Sequence, residues 1–95
     1  MTYELEFARD AWKEWGSLDP SLRAQFKKKL AERLQNPRNE AARLRQLPNC
    51  YKIKLRRFGY RLVYQFEDKQ LVVLVVAVGK RERNLVYDAA AKRLS

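Results

Sequence analysis

The segment CYKIKLRRFGYRLVYQF, residues 50–66, determines the fold of this 95-residue chain, because its apolar residues recur at every second position. In its first half one face is apolar and the other is cationic: Tyr51, Ile53 and Leu55 against Lys52, Lys54 and Arg56. The alternation resumes after Phe58-Gly59, a pair that is typical of a hairpin turn. A period of two over both halves predicts two half-buried antiparallel strands.

Parity limits the register of this hairpin. Residues that face each other in an antiparallel pair lie on the same side of the sheet, so burying the apolar residues of both strands together requires paired numbers with an odd sum. Any odd sum places Arg61 on the side that carries Lys52 and Lys54. The pattern that buries the aromatic residues therefore also collects cations on the opposite side.

The flanking sequence predicts two further strands and three helices from its hydrophobic periods and from the capping signals Asp19-Pro20 and Asn36-Pro37. Their expected positions are residues 2–7 (strand), 8–17 (helix), 19–36 (helix), 71–78 (central strand) and 85–94 (helix). The predicted fold class is therefore α+β, a small four-stranded, mostly antiparallel sheet with N-terminal helices packed on it and a C-terminal helix. We expect the helices to lie mainly on one face.

Length and charge limit the function classes. A single domain spanning residues 1–95 is expected, since a chain of this size can build only one hydrophobic core. Lys and Arg total 21 against 11 Asp and Glu, and the net charge of +10 indicates a polyanionic partner such as nucleic acid or an acidic protein. The chain has no His, which excludes Ser–His and Cys–His nucleophile systems.

No metal or cofactor is expected. The single cysteine, Cys50, can form neither an internal disulfide nor a Cys/His zinc site, and the glycines are too far apart for a phosphate-binding loop. No secretory signal is evident at the N-terminus. The longest apolar run, residues 71–78, is less than half of the roughly 20 residues that a membrane-spanning helix needs. We therefore expect a cytoplasmic protein with no membrane partner.

The densest group of candidate functional side chains falls on the last three predicted strands and just beyond them: Lys52, Lys54, Arg61, Arg81 and Tyr87. Alternate strand residues are roughly 6.6 to 6.8 Å apart, so the two lysines can approach one phosphodiester. The 2′-OH of RNA can attack the adjacent phosphorus if a base accepts its proton and cations stabilise the developing charge. A lysine can be that base if its pKa falls by roughly 2 to 3 units, which neighbouring cations and partial burial favour.

Simpler interpretations compete with each of these assignments. A cationic strand face is more often a solvated or nucleic-acid-binding surface than an active site. The run Lys27-Lys28-Lys29 is most often a solvated helix face, with backbone-phosphate contact as the second interpretation. Tyr87 is either a tyrosine at the edge of the core or a base-stacking residue. Trp12 and Trp15 are expected to be core or interface anchors, and Cys50 to be inert.

Several segments closely resemble the RelE toxins of type II toxin–antitoxin systems, and the resemblance extends over nearly the whole chain. They are PNCYKIKL (48–55), GYRLVYQ (59–65), VGKRER (78–83) and Val86-Tyr87. The resemblance implies a ribosome-dependent mRNA endoribonuclease that cuts the codon in the A site of the 70S ribosome by 2′-OH attack, giving a 2′,3′-cyclic phosphate and a 5′-OH. It also implies contacts with small-subunit rRNA and a cognate RelB-like antitoxin, which displaces the C-terminal helix or covers the cationic site.

The resemblance also implies roles for individual residues. Lys52 and Lys54 would be the general base and its cationic support, in an order that stays open. Arg61 and Arg81 would hold and stabilise the phosphate, Arg81 would assist the leaving oxygen, and Tyr87 would stack on or orient the substrate base. Further RNA-contacting residues are expected at Arg45, Lys27, Lys28, Lys29, Arg56, Lys80 and Arg83.

Two other function classes remain open. The first is a ParE-like inhibitor of DNA gyrase, which shares the fold without being a nuclease; the complete set of cations argues against it. The second is a basic RNA-binding module without catalysis. In that case Arg81→Ala would weaken RNA binding in a salt-dependent way, with no separate loss of cleavage.

Overall fold

The computed structural model describes residues 2–80, 82 and 85–94, which form four strands and three α-helices. In chain order these are β1 (Glu4–Phe7), α1 (Arg9–Gly16), α2 (Pro20–Gln35), β2 (Cys50–Leu55), β3 (Tyr60–Glu67), β4 (Val72–Lys80) and α3 (Leu85–Leu94). Single 3-10 turns lie at Glu40–Ala42 and Arg56–Phe58. The predicted α+β class is confirmed. Within this described part of the chain, no helix is long and apolar enough to cross a membrane.

The strands form one mixed sheet in the order β1-β4-β3-β2. β3 pairs antiparallel with both β2 and β4, whereas β1 runs parallel to β4. Lys54 lies directly opposite Arg61, and Lys52 lies opposite Val63. Both pairs have the odd sum that parity requires, so the predicted register is confirmed and Arg61 shares a face with the two lysines.

The turn between β2 and β3 is longer than the predicted pair Phe58-Gly59. Leu55 and Tyr60 form the last strand pair, so residues 56–59 make the connection. A two-residue hairpin turn of the common type needs positive φ at both central residues, which a phenylalanine disfavours. The chain instead forms a 3-10 turn over Arg56–Phe58 and leaves the left-handed conformation to Gly59, with φ of 68°.

Helices cover both faces of the sheet. α1 and α2 pack on one face through a core that includes Trp15, Phe26 and Leu30. α3 packs on the opposite face, and Val86 and Ala90 meet the following buried residues of the sheet: Cys50, Val63, Val76 and Ala77. Two of the three helices thus share one face of the sheet, as predicted. α3 covers the opposite face, which is also apolar because β4 has apolar residues on both sides. By register, Lys52 and Lys54 lie on the α3 side.

Arg93 fastens α3 to α1 and β4. Its guanidinium donates to both carboxylate oxygens of Glu14, at 2.8 and 3.0 Å, and to the Val76 carbonyl oxygen at 2.8 Å. Glu14 also accepts a hydrogen bond from the Val78 backbone N–H at 3.1 Å. β1 ends opposite Val75, so β4 has no strand partner on that side beyond this residue. Arg93 and Glu14 instead satisfy the Val76 carbonyl oxygen and the Val78 N–H. The bond to Glu14 raises the pKa of Arg93, so the cation persists at all physiological pH.

Asp19 caps α2 as predicted, and its carboxylate accepts a hydrogen bond from the Ser21 backbone N–H at 3.0 Å. That bond lowers the pKa of Asp19 below its ordinary value. The stabilisation is therefore present above the pKa of the unfolded carboxyl and is lost as the pH falls through the lower folded value. We expect Asp19→Ala to lower the thermal midpoint at neutral pH, and the gap from the parent protein to close in acid.

The control for this capping prediction is Asp19→Asn, since an asparagine side chain retains an acceptor oxygen without a titrating charge. Its thermal midpoint should differ less from that of the parent protein at neutral pH. Thermal melts of the three proteins over a pH series measure both effects. If the difference in thermal midpoint between Asp19→Ala and the parent protein does not change with pH, the cap is not a charged carboxylate.

Candidate active site

Three of the five candidate catalytic residues line one groove of about 440 Å³ between the end of the sheet and α3. Lys52 and Lys54 contribute from β2, and Tyr87 contributes from α3. The other lining residues are Leu44, Gln46, Leu47, Asp88 and Ala91. Both lysines and Tyr87 are partly buried. We call this concavity the α3 groove; it combines two cations with an aromatic ring that is accessible to a ligand.

Arg61 is buried opposite Lys54, with 7% of its surface exposed. Its Nη1 donates to the carbonyl oxygen of Tyr60 at 2.9 Å. Its Nε is buried without a hydrogen-bond partner among the residues that the structure describes. An unpaired buried donor costs about 1 to 3 kcal/mol. Arg61 lines neither the α3 groove nor the basic hollow described below, so its role in holding a phosphate stays a prediction.

A hydrogen-bond network ties α2 to β2, which is an edge strand. Arg33 Nη1 donates to Tyr64 Oη at 2.9 Å and to the Lys52 carbonyl oxygen at 3.3 Å. Tyr64 Oη donates onward to the Pro37 carbonyl oxygen at 2.8 Å. Burial raises the pKa of Tyr64, so its hydroxyl keeps the proton that it donates. The network fixes the backbone of Lys52, and sequence analysis did not single out Arg33.

A second concavity, of about 250 Å³, lies beside β2 and is called the basic hollow. Its lining residues are Lys29, Arg33, Asn39, Ala41, Ala42, Lys52, Lys54 and Arg56. Lys52 and Lys54 line both the hollow and the α3 groove. The two concavities therefore adjoin along β2. Of the expected further RNA-contacting residues, Lys29 and Arg56 line the basic hollow.

The other expected RNA-contacting residues lie elsewhere. Lys27 and Lys28 are exposed on α2 and line neither the α3 groove nor the basic hollow. Arg45 is exposed and lines a separate concavity with Glu40 and Arg43. Lys80 ends β4, with its ammonium 5.9 Å from the ring centroid of Tyr60. The two remaining candidates, Arg81 and Arg83, lie outside the described residues.

Cys50 and the tryptophans behave as parts of the core or its margin. Burial raises the pKa of the Cys50 thiol to about 11, so it stays protonated and unreactive near neutral pH. Trp15 is 6% exposed, as expected of a core anchor, whereas Trp12 is 60% exposed and packs on Phe7. Residues 2–80, 82 and 85–94 contain no cluster of three or more Cys, Asp or Glu that could hold a metal ion.

Comparison with known proteins identifies the family. A sequence model described as the ParE toxin of the type II toxin–antitoxin system parDE matches residues 5–85. The chain belongs to the RelE/ParE toxin family. Within it, the chain is 56% identical over 94 residues to the mRNA interferase toxin RelE of Escherichia coli K12, covering 99% of both proteins. The predicted resemblance to RelE toxins is confirmed.

Solved structures place the fold in the same branch of the RelE/ParE family. A free-state variant of the E. coli toxin RelE, with two arginine-to-alanine substitutions, matches with a TM-score of 0.92 and 54% identity over all of both chains. A chain of the intact E. coli RelBE toxin–antitoxin complex matches with a TM-score of 0.82 and 57% identity, covering 85% of this chain and 99% of that one.

Proposed function

We propose that this chain is an endoribonuclease toxin that cleaves mRNA in the ribosomal A site and is neutralised by a RelB-like antitoxin. The observation that carries the proposal is its 56% identity, over 99% of both proteins, to an mRNA interferase toxin RelE. The α3 groove supports it, because Lys52, Lys54 and Tyr87 line one concavity. A groove with two cations and an aromatic ring matches the chemistry of a phosphodiester and its base.

The reaction uses the nucleophile that RNA carries. The 2′-oxygen attacks the adjacent phosphorus while a base takes the 2′-OH proton, and the bond from phosphorus to the 5′-oxygen breaks. The products are a 2′,3′-cyclic phosphate and a 5′-OH, with a proton delivered to the leaving oxygen. In this proposal Lys52 or Lys54 takes the role of base, as the resemblance to RelE toxins implies, and the other supports it.

Negative charge develops on the phosphate oxygens during this attack, and fixed cations stabilise it best where water is excluded. Arg61 is suited to this task, because it is buried and its Nε has no partner among the described residues. Arg81 shares the task and assists the leaving oxygen in this proposal. Tyr87 stacks on or orients the base next to the scissile bond.

The partners follow from charge and from the site. A net charge of +10 favours docking on ribosomal RNA, whose phosphates attract exposed cations over long range. The ribosome in turn holds the message in the geometry that in-line attack requires. The same charge suits an acidic segment of the antitoxin. The protein would act in the cytoplasm, where ribosomes translate the message.

Primer extension on mRNA in translating ribosomes tests this function. Addition of the purified protein should produce a stop within the A-site codon, and the 3′ fragment should accept a label from polynucleotide kinase without prior phosphatase treatment, since it begins with a 5′-OH. Absence of any cut would overturn the nuclease assignment. Equal cutting of the same RNA free in solution would overturn the dependence on the ribosome.

One observation favours a second function, inhibition of DNA gyrase, because the matching family model is described as a ParE toxin. A supercoiling assay with purified gyrase distinguishes the two. We expect no inhibition at toxin concentrations that stop translation in a cell-free system. Inhibition of gyrase without cleavage of mRNA would replace the nuclease proposal.

A further inference from the structure

We propose that the basic hollow is a second phosphate site, which binds the phosphodiester next to the one that is cut in the same RNA strand. This proposal rests on the proposed ribonuclease function. It extends the active site beyond the α3 groove and assigns a substrate contact to Lys29 and Arg33. The ligand class is a singly charged phosphodiester of single-stranded RNA.

The charge of the hollow is the first observation. Five of its eight lining residues are cations and none is a carboxylate: Lys29, Arg33, Lys52, Lys54 and Arg56. Cations crowded around one concavity repel each other, and an anion in their midst converts that repulsion into attraction. The α3 groove, by contrast, contains the carboxylate of Asp88. The lining of the hollow therefore carries more positive charge than that of the α3 groove.

The second observation is that Arg33 is already fixed in place. Its two hydrogen bonds, to Tyr64 Oη and to the Lys52 carbonyl oxygen, both use Nη1. Within the described part of the chain, Nε and Nη2 have no protein acceptor. A planar guanidinium that is held at one end and has donors left at the other is preorganised for a phosphate oxygen.

The third observation is the way that the hollow joins the α3 groove. Lys52 and Lys54 line both, and alternate residues of a strand are roughly 6.6 to 6.8 Å apart. Successive phosphates of an extended RNA strand have a similar spacing. Because the two concavities share these lysines, an RNA strand that presents its scissile phosphate in the α3 groove can place the neighbouring phosphate in the basic hollow, beside β2.

Lys29→Ala tests the site, because Lys29 is exposed on α2 and its loss leaves the core intact. We measure single-turnover cleavage of ribosome-bound message at subsaturating protein, where the rate per protein concentration corresponds to kcat/KM. We expect kcat/KM to fall about tenfold, the effect of one charge-assisted hydrogen bond. Lys28→Ala removes the same charge from the next position, outside the hollow, and should lower kcat/KM about twofold or less. Lys69→Ala, in the exposed turn after β3, should leave it unchanged. Equal losses for Lys29→Ala and Lys28→Ala would overturn the proposal.

A message in which a neutral methylphosphonate replaces one phosphodiester shows whether the bound phosphate belongs to the message or to ribosomal RNA. The neutral group is placed in turn on each side of the scissile phosphate. At one of these positions, cleavage by the parent protein should fall about tenfold, and Lys29→Ala should lose little more. If the Lys29→Ala defect stays tenfold on both modified messages, Lys29 contacts ribosomal RNA and the proposal is wrong. If the parent protein does not cleave the unmodified message, the proposed function itself has failed.

Discussion

Replacing Lys54 with alanine is expected to lower the single-turnover rate of ribosome-dependent cleavage by about 10²- to 10⁴-fold if Lys54 is the general base. Lys54 lines the α3 groove, lies opposite Arg61 and shares a face with Lys52. Lys52→Ala is expected to have the same large effect if the roles are reversed. Because both lysines face the same groove, the rate alone does not distinguish the base from its support.

The pH dependence of the rate separates the two roles. A base must lose its proton before it acts, so the rate rises with pH until the base is deprotonated. Removal of the base abolishes that rise, whereas removal of a neighbouring cation shifts the rise to higher pH. We expect the rise with pH to be lost in one of the variants Lys54→Ala and Lys52→Ala, and to be shifted to higher pH in the other. An unchanged profile in both variants would exclude lysine from the proton transfer.

These measurements also address the interpretation that the chain binds RNA without cleaving it. At saturating protein, a variant that only binds less tightly recovers the rate of the parent protein, whereas a variant that has lost its base does not. Lys28→Ala is the matched control for a lost exposed charge, since Lys28 lies outside both concavities. Full recovery of both lysine variants at saturation would favour a binding role.

The sequence predicts the part of this fold that depends on short-range periodicity. The alternation from Tyr51 to Phe66 places Arg61 with Lys52 and Lys54 through parity alone, and the register confirms it. The burial of Arg61 was not predictable from this pattern. α3 packs on the same face of the sheet, and an alternating strand does not indicate which helix will cover it.

Contacts between distant segments are the other part that could not be predicted. Lys29 and Arg33 are four residues apart on α2, so helical spacing puts them on one face. Nothing in that spacing brings Arg33 to the Lys52 carbonyl oxygen, a contact between α2 and an edge strand. Trp12 and Trp15 show the same limit: both have helical spacing, yet one is 60% exposed and the other 6%. The assignments of Arg81 and Arg83 stay predictions.

Arg61→Met is expected to lower the single-turnover rate by about 10²- to 10³-fold, the range seen when one group that stabilises transition-state charge is removed. The same substitution should leave the free energy of unfolding unchanged or raise it by about 1 to 3 kcal/mol. A gain in stability follows where relief of the buried Nε of Arg61, which has no partner among the described residues, outweighs the loss of the Nη1 bond to the Tyr60 carbonyl oxygen. Where the two balance, the free energy of unfolding stays unchanged. Methionine fills much of the same space and needs no hydrogen bonds.

The opposite signs of these two effects distinguish an arginine that serves a ligand alone from one that also stabilises the fold. Arg33→Met is the matched comparison, because Arg33 Nη1 bonds to Tyr64 Oη and to the Lys52 carbonyl oxygen. Its removal leaves both acceptors without that donor, so the free energy of unfolding should fall by about 1 to 3 kcal/mol. Urea unfolding of the two variants beside the parent protein measures the difference. If Arg61→Met is destabilised as much as Arg33→Met, then Arg61 serves the fold, and its loss of activity would not identify a phosphate contact.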